Sequence, residues 1–297
     1  MKRFIFFFVV FILFLGFLIG QCNGTTETGN LEEETLFLEA PQALESEENG
    51  NLLHEGEMAN ETANNSHREQ QIAPTTEFVK NPSSLASQIL TRKSYTCSYN
   101  ETTKNPNWIA WILTKDHVDG NVKRTNYTED FDVPTPRATN DDYKGSGWSR
   151  GHMCPAGDNR WDSVAMQETF LLTNICPQDR SLNSGLWNKI EQDCRTWAKE
   201  YGEIYIICGP VYLNQEHETI GTNKIVVPEA FFKVILCLQG KPKAIGFIIR
   251  NNKGAKKRDQ YINTIDDVER ITGYDFFPEL ADDIENEIEK HADINEW

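Results

Sequence analysis

The pattern that most constrains the fold of this chain is a long amphipathic helix predicted over residues 183–201. Its apolar side chains recur at helical spacing: Leu186, Trp187, Ile190, Cys194 and Trp197. Gly202 follows at the position where a helix commonly ends. Because such a helix is stable only when its apolar stripe packs against another surface, the rest of the chain must supply that surface.

The surrounding sequence indicates that this surface is a sheet. Clusters of β-branched and aromatic residues predict strands over 94–98, 108–114, 171–175, 204–212, 231–238 and 244–249. The tripeptide Asn105-Pro106-Asn107 is predicted as the turn between the first two strands. Shorter helices are predicted over 161–170 and 264–271, the latter beginning with a Thr-x-x-Asp cap. Strands outnumber helices without regular alternation, so the predicted fold class is α+β.

The N-terminal residues 1–21 carry a targeting pattern. Lys2 and Arg3 precede an unbroken apolar run from Phe4 to Gly20, which is typical of a secretory signal peptide or a membrane anchor. Lipid attachment at Cys22 is a third alternative. All three predict an exported protein that is periplasmic, cell-surface or secreted, and the last two predict membrane attachment through the N-terminus.

The formal net charge of −16 is distributed unevenly. Residues 22–82 are rich in Glu and Asn without apolar periodicity, which predicts an acidic disordered spacer. Residues 279–297 form a second acidic segment, predicted to be a C-terminal tail whose helix lies in solvent. The stretch between these ends is close to neutral. The acidity of the whole chain therefore does not exclude a polyanionic ligand.

Six cysteines follow Cys22, namely Cys97, Cys154, Cys176, Cys194, Cys208 and Cys237. An even number in an exported protein favours disulfide bonds, and buried free thiols are the alternative. The sequence has no Cys-x-x-Cys pair, so it gives little support to a zinc ribbon.

Two short segments carry the residues needed for phosphodiester chemistry. Arg150 and His152 lie in a stretch of glycines and a proline, where binding and catalytic residues are common. On a regular helix, Asn183, Glu191 and Arg195 project along one side together with Trp187. Histidine can accept a proton from water, amide and carboxylate oxygens suit Mg²⁺, and guanidinium groups suit phosphate. The combination indicates hydrolysis of a phosphate ester.

At this point the sequence resembles a known family. Arg150-Gly151-His152, followed by Asn183-x-Gly185-x-Trp187 and Glu191, resembles the DNA/RNA non-specific endonucleases of the ββα-metal (His-Me finger) superfamily. The similarity covers about residues 94–278 and includes the stretches TNICPQDRSLN and TGYDFFPEL. It implies a nuclease domain at 83–278 with a central antiparallel sheet flanked by helices, and metal-dependent cleavage of DNA and RNA without sequence preference.

The resemblance also implies a role for each matching residue. His152 would be the general base, Asn183 the sole protein ligand of Mg²⁺ or Mn²⁺, and Glu191 the residue that orients water on the metal. Three basic residues would contact substrate phosphates: Arg150, Arg195 and Lys104. Arg195 would also stabilise the transition state. DNA and RNA are the expected partners, recognised through their phosphate backbones, and no protein partner is evident.

Several alternatives remain open at the level of the sequence. Ser149 stands where the family has an acid, so a relative that binds nucleic acid but cleaves it weakly is the runner-up function. A surface adhesion protein is a further rival. Asn183 could instead be a helix N-cap, and Glu191 with Arg195 could be an ordinary helix ion pair. If His152 titrates normally, activity should rise through about pH 6 to 7.

Overall fold

The computed structural model describes residues 78–253 and 257–297, in which a seven-stranded antiparallel sheet forms the centre. In spatial order its strands are β12 (Ile262–Asn263), β11 (Lys243–Arg250), β10 (Ala230–Cys237), β7 (Glu203–Val211), β4 (Asn105–Thr114), β3 (Thr96–Asn100) and β2 (Gln88–Thr91). Three two-stranded ladders accompany it: β1 (Val79–Lys80) with β13 (Asp275–Phe276), β5 (Ser149–His152) with β6 (Ile175–Gln178), and β8 (Thr219–Ile220) with β9 (Ile225–Val226).

Helices pack around this sheet, which confirms the α+β class. They are α1 (Lys115–Val118), α2 (Asn140–Tyr143), α3 (Ser163–Glu168), α4 (Arg180–Leu182), α5 (Asn188–Tyr201), α6 (Ile265–Thr272) and α7 (Asp282–Ile288). The longest, α5, ends at Gly202 as predicted. No helix among residues 78–253 and 257–297 combines the length and apolarity needed to cross a bilayer.

Alternating side chains of β10 divide the core into two clusters, one on each face of the sheet. Phe231 and Ile235 join the cluster beneath α5, which includes Trp187 and Trp197. The intervening apolar side chains of β10 join a second cluster with residues of α6, β13 and α7: Phe232, Val234, Leu236, Ile265, Val268, Phe276 and Ile288. We call these the first and second faces of the sheet.

The local predictions differ from the structure where a proline or a short helix intervenes. Asn105-Pro106-Asn107 is not a turn but the start of β4; the tight turn precedes it and ends at Lys104, whose φ is 59°. Pro106 is tolerated there because the β3–β4 pairing shifts register near Tyr99. The strand predicted over 171–175 begins only at Ile175, because residues 172–174 form a 3₁₀ turn.

The predicted ends of the chain are described only in part. The signal or anchor segment 1–21 and most of the spacer lie outside the described residues. Val79 and Lys80 of the predicted spacer form β1, so the folded part begins before residue 82. The acidic tail is not wholly in solvent either: Ile288 is buried, and the ring of Trp297 packs against Trp197 with 4.8 Å between centroids.

The expectation of disulfide bonds is wrong for this structure. All six cysteines from Cys97 to Cys237 are free and buried. Cys194 lies on α5, Cys154 lies in the bend that follows β5, and the other four lie on strands; in the core cluster each thiol packs as a small apolar side chain. The alternative interpretation of buried thiols therefore describes them.

Candidate active site

Strand β5, which carries the Ser-Arg-Gly-His segment, is tied to residues 183–187 at both of its ends. At the first end, Ser149 Oγ donates to the Gln178 carbonyl oxygen at 2.7 Å and lies 3.1 Å from Asn183 Nδ2, from which it accepts a hydrogen bond. At the other end, Trp187 Nε1 donates to the His152 carbonyl oxygen at 3.4 Å. The two predicted motifs therefore come together in space, 34 and 35 residues apart in sequence.

A buried asparagine supports the backbone just beyond His152. Asn174 Oδ1 accepts from Cys154 N at 2.8 Å, and its Nδ2 donates to the Cys154 carbonyl oxygen at 2.9 Å and to the Thr169 carbonyl oxygen at 2.8 Å. Sequence reasoning missed this residue as a support, although it lies in the family-like TNIC stretch. Its amide satisfies the main chain where β5 leaves its partner strand.

The helix that carries Asn183 is not regular. This corrects the prediction that a regular helix projects Asn183, Glu191 and Arg195 along one side. Residues Asn183–Trp187 form a π-helical turn that kinks at Gly185, and α5 follows directly. Such turns inside helices occur frequently at functional sites. Asn183 is not an N-cap: Asp179 caps this helical segment by accepting from the Ser181 and Leu182 amides. The Asn183 side chain points to Ser149 instead.

The His152 ring lies in an aromatic pocket. Its centroid is 4.9 Å from that of Phe170 and 5.4 Å from that of Tyr127, and its Nε2 has no hydrogen-bond partner. Burial, together with the nearby charge of Arg124, lowers the pKa of His152 to about 3. The imidazole is therefore neutral in the physiological range and able to accept a proton. The expected rise of activity through pH 6 to 7 cannot come from this histidine, because its desolvation removes the titration from that range.

Arg195 and Glu191 occupy the α5 side of the site but do not pair with each other by hydrogen bond. Arg195 Nη1 donates to Asp158 Oδ1 at 2.8 Å, and Asp158 Oδ2 accepts from Trp111 Nε1 at 3.2 Å. Burial raises the pKa of Glu191 to about 7, with Lys233 acting in the opposite direction. Asp158 is the interior counter-ion that fixes the guanidinium of Arg195.

The other two basic residues have different surroundings. Arg150 stacks between two aromatic rings, 5.2 Å from the centroids of both Tyr127 and Tyr143, and donates to the Asn140 carbonyl oxygen. It lies two residues before His152 on β5, and so on the same face of the strand. Lys104 lies in the β3–β4 turn and is only 8% exposed. Its contact with phosphate remains a prediction.

Three charged residues of this region escaped the sequence reasoning. Arg124 lies in the segment between α1 and α2, and its guanidinium stands 5.2 Å from the ring of Phe170, the neighbour of His152. Asp158 holds Arg195, and Lys233 is buried among tryptophans beneath the site. The two adjacent basic residues Lys123 and Arg124 were a weak sequence signal that Arg124 belongs to the site. A lysine inside a predicted strand, such as Lys233, gives no sequence signal of this kind.

Comparison with known proteins assigns this arrangement to a family. A family model described as DNA/RNA non-specific endonuclease matches residues 73–283. The chain belongs to the DNA/RNA non-specific endonuclease family. This confirms the resemblance inferred from the two motifs, and with it the ββα-metal fold with a central antiparallel sheet.

Individual members of the endonuclease family show the extent of the similarity. The chain is 35% identical over 214 residues to human mitochondrial nuclease EXOG, covering 65% of this chain and 58% of EXOG. It is 36% identical over 213 residues to nuclease C1 of Cunninghamella echinulata var. echinulata, covering 66% and 84%. The solved structure of the EndoG/EndoGI complex matches with a TM-score of 0.63 at 29% identity, covering 66% of this chain and 87% of that one. The match therefore spans less than two thirds of EXOG.

The donor set at Asn183 fits the divalent metal that this endonuclease family implies. The amide nitrogen of Asn183 donates to Ser149 Oγ, which leaves the carbonyl oxygen as the side-chain atom that could bind a cation, and the residue is partly exposed. Glu191 follows about two turns later with a carboxylate. Amide and carboxylate oxygens are hard ligands that suit Mg²⁺ or Mn²⁺, and one protein ligand suffices for an ion that keeps most of its waters.

Proposed function

We propose that this protein is a metal-dependent endonuclease that hydrolyses phosphodiester bonds of DNA and RNA without sequence preference. The observation that carries the proposal is the link from His152 to Asn183. A neutral, buried imidazole lies on a four-residue strand whose first residue, Ser149, orients the amide of Asn183. A group that can accept a proton and an oxygen atom that can bind a metal ion are thereby held in a fixed relation through β5.

In this proposal each residue of the candidate site has a distinct role. His152 accepts the proton of the attacking water, and its aromatic surroundings keep the ring in one orientation. Asn183 would hold Mg²⁺, or Mn²⁺, which supplies Lewis-acid stabilisation of charge on the phosphate when bound. Glu191 would help to hold the hydrated ion by orienting water, while Arg195 and Arg150 would stabilise negative charge on the phosphate oxygens.

The substrate and location follow from the same proposal. Water is the nucleophile, so the reaction needs no 2′-hydroxyl group and should not separate DNA from RNA. Binding through phosphates should weaken as salt rises. We place the protein outside the cytoplasm because of the apolar run from Phe4 to Gly20, with N-terminal membrane attachment as a variant of that proposal.

The test is digestion of plasmid DNA and RNA by the purified protein in Mg²⁺ or in EDTA. We expect cleavage of both substrates in Mg²⁺ and none in EDTA. His152→Ala should lower the rate about 10²–10⁴-fold, the usual contribution of a general base, and Asn183→Ala should act like EDTA. His117→Ala is the matched control, because the ring of His117 stacks on Trp161, which has no role in the proposed site.

The result also decides between this proposal and its runner-up. Wild-type protein that retards plasmid in a gel without cutting it, in Mg²⁺ and in Mn²⁺ alike, would establish the binding-only relative. Cleavage at the wild-type rate in EDTA, or by the His152→Ala variant, would overturn the metal-plus-histidine mechanism.

A further inference from the structure

A lysine lies fully buried in the centre of the sheet, beneath the nuclease site. Lys233 occupies the middle of β10, has 0% exposure, and pairs in register with Cys208 of β7 and Phe247 of β11. Its side chain enters the first face of the sheet, the face that α5 covers. No hydrogen-bond partner reaches its Nζ. An ammonium group is costly to bury in this way, so the position calls for a compensating interaction.

The compensation comes from two tryptophan rings. Lys233 Nζ lies 4.4 Å from the ring centroid of Trp187 and 5.1 Å from that of Trp111. Both distances are within the range of cation–π attraction, which is strongest for indole and for a desolvated cation. The ammonium is therefore held between two π faces rather than by oxygen acceptors.

The same two rings hold the catalytic side of the molecule. Trp111 Nε1 donates to Asp158 Oδ2 at 3.2 Å, and Asp158 in turn holds Arg195. Trp187 Nε1 donates to the His152 carbonyl oxygen at 3.4 Å. Each indole therefore contacts Lys233 through its π face. Its N–H group donates either to Asp158, which holds Arg195, or to the main chain of His152. A shift of the ammonium would move both supports together.

The charges nearby are balanced by the same lysine. The buried carboxylate of Asp158 and the half-buried carboxylate of Glu191 lie in its electrostatic range. Arg195 and Arg124 are the other cations that act on Glu191. Burial lowers the pKa of Lys233, whereas nearby groups, Glu191 and Asp158 among them, act in the opposite direction, and the pKa lies above its ordinary value. The two indole π faces also favour the charged form of the amine. Without this amine, the two acids would keep only guanidinium groups as their nearby cations.

We propose that Lys233 is a positioning residue of the nuclease site, whose buried ammonium orients Trp111 and Trp187 and through them Arg195 and His152. The inference rests on the proposed function, since it assigns a supporting role to a group that touches no substrate. It predicts a change in the chemical step with little change in substrate binding.

The test compares Lys233→Met with Lys243→Met in steady-state cleavage of plasmid with Mg²⁺. Lys243 is the matched control because its Nζ also lies on two aromatic rings, Tyr201 and Trp297, at 3.9 and 5.1 Å, with no link to the site. We expect Lys233→Met to lower kcat about 10- to 100-fold, as loss of a supporting group commonly does, with KM within about twofold of wild type. Lys243→Met should leave both constants unchanged.

Lys233→Arg separates charge from shape, because a guanidinium also stacks on indole rings. We expect it to recover most of the lost kcat. A Lys233→Met enzyme with wild-type kcat, or a Lys233→Arg enzyme as slow as Lys233→Met, would overturn the positioning role. Wild-type cleavage that resists EDTA would instead overturn the proposed function, so the two failures are distinguishable.

Thermal melting covers the case in which Lys233→Met does not fold. Glu191→Gln removes one of the acids that the lysine balances, so the double variant Lys233→Met/Glu191→Gln loses one positive and one negative charge together. Cooperative melting recovered in the double variant supports the charge balance. A double variant that is also unfolded would show that Lys233 contributes only to packing, and would overturn the inference.

Discussion

Two adjacent residues of β10, Phe232 and Lys233, face opposite sides of the same sheet and are equally buried, with 0% exposure each. Phe232 packs against the rings of Phe276 and Tyr274, with centroids 5.5 and 5.8 Å away. Lys233 places a charge between two indoles, one of which donates to the main chain of β5. The second face is thus an ordinary apolar core, whereas the first face combines a core with buried charges.

The difference shows how the molecule divides stability from function. Polar atoms without partners near the site include His152 Nε2, Arg150 Nε, both side-chain polar atoms of Gln178, and Lys233 Nζ. Within residues 78–253 and 257–297, none of the buried residues of the second face has such an atom. A buried polar group without a partner costs about 1–3 kcal/mol. The unpartnered polar atoms near the site therefore offset part of the stabilisation that apolar burial gives the first face, a cost that the buried residues of the second face do not carry.

The largest expected effect concerns Ser149, which lies beside the proposed active site. Ser149→Ala removes the hydroxyl that accepts from Asn183 and donates to Gln178. We expect activity to fall about 10- to 100-fold, the usual effect of removing a partner that orients a metal ligand, and unfolding free energy to fall by only about 1 kcal/mol. Plasmid cleavage at several Mg²⁺ concentrations and thermal melting measure the two effects.

Two further variants control this prediction. Ser149→Thr keeps the hydroxyl and should keep most of the activity. Ser184→Ala removes an exposed hydroxyl beside Asn183 that bonds only to the Arg180 carbonyl oxygen, and should change nothing. Full activity in Ser149→Ala would mean that Asn183 orients itself without β5.

The next prediction compares the two faces directly through neighbouring phenylalanines. Phe231 and Phe232 are both fully buried, but only Phe231 packs against Trp187, at 5.6 Å between centroids. Replacing either by Leu should cost about 1–3 kcal/mol of unfolding free energy, measured by urea denaturation. Only Phe231→Leu should also lower kcat severalfold, because Trp187 supports His152. Equal activity in the two variants would contradict this division between faces.

The smallest expected effect concerns the pH dependence of stability on the second face. Burial, and then the neighbouring Glu269, raise the pKa of Glu289 to about 8 from 4.5. The folded state therefore holds this proton more tightly than the unfolded state, and loses stability as pH rises from about 4.5 through 8. Glu289→Gln should melt a few degrees above wild type at pH 9 and at nearly the wild-type temperature at pH 5.

The melting experiment needs EDTA, because three carboxylates of Asp266, Glu269 and Glu289 lie within 4.8 Å of one another and could take up a cation. Asp283→Gln on the exposed side of α7 is the matched control and should not change the pH dependence. A wild-type melting temperature that stays constant from pH 5 to pH 9 would contradict the prediction.

The sequence was sufficient for the parts of the structure that rest on local patterns. The amphipathic stripe predicted α5 and its end at Gly202, and the Thr264 cap predicted the start of α6. It failed at Asn183, where a regular helix was assumed. The structure has a π-helical turn there, because the segment must meet β5 at Ser149 and at His152. That requirement is tertiary and leaves no periodic signal.

The candidate site was predictable where a residue type matches its chemistry, and not where a residue acts through others. His152 and Asn183 were identified from the motifs. Asp158 and Lys233 were not, since each draws its role from contacts with residues far along the chain. The titration of His152 was also misjudged, because the rings that desolvate it come from distant segments.

The six buried thiols have a practical consequence. Burial raises the pKa of each, so none should react quickly with a thiol reagent while the protein is folded. They sit on different elements, with Cys97 on β3, Cys194 on α5 and Cys237 at the end of β10. Labelling with a thiol reagent followed by mass spectrometry would therefore time the opening of each of these elements separately, without the introduction of any new residue.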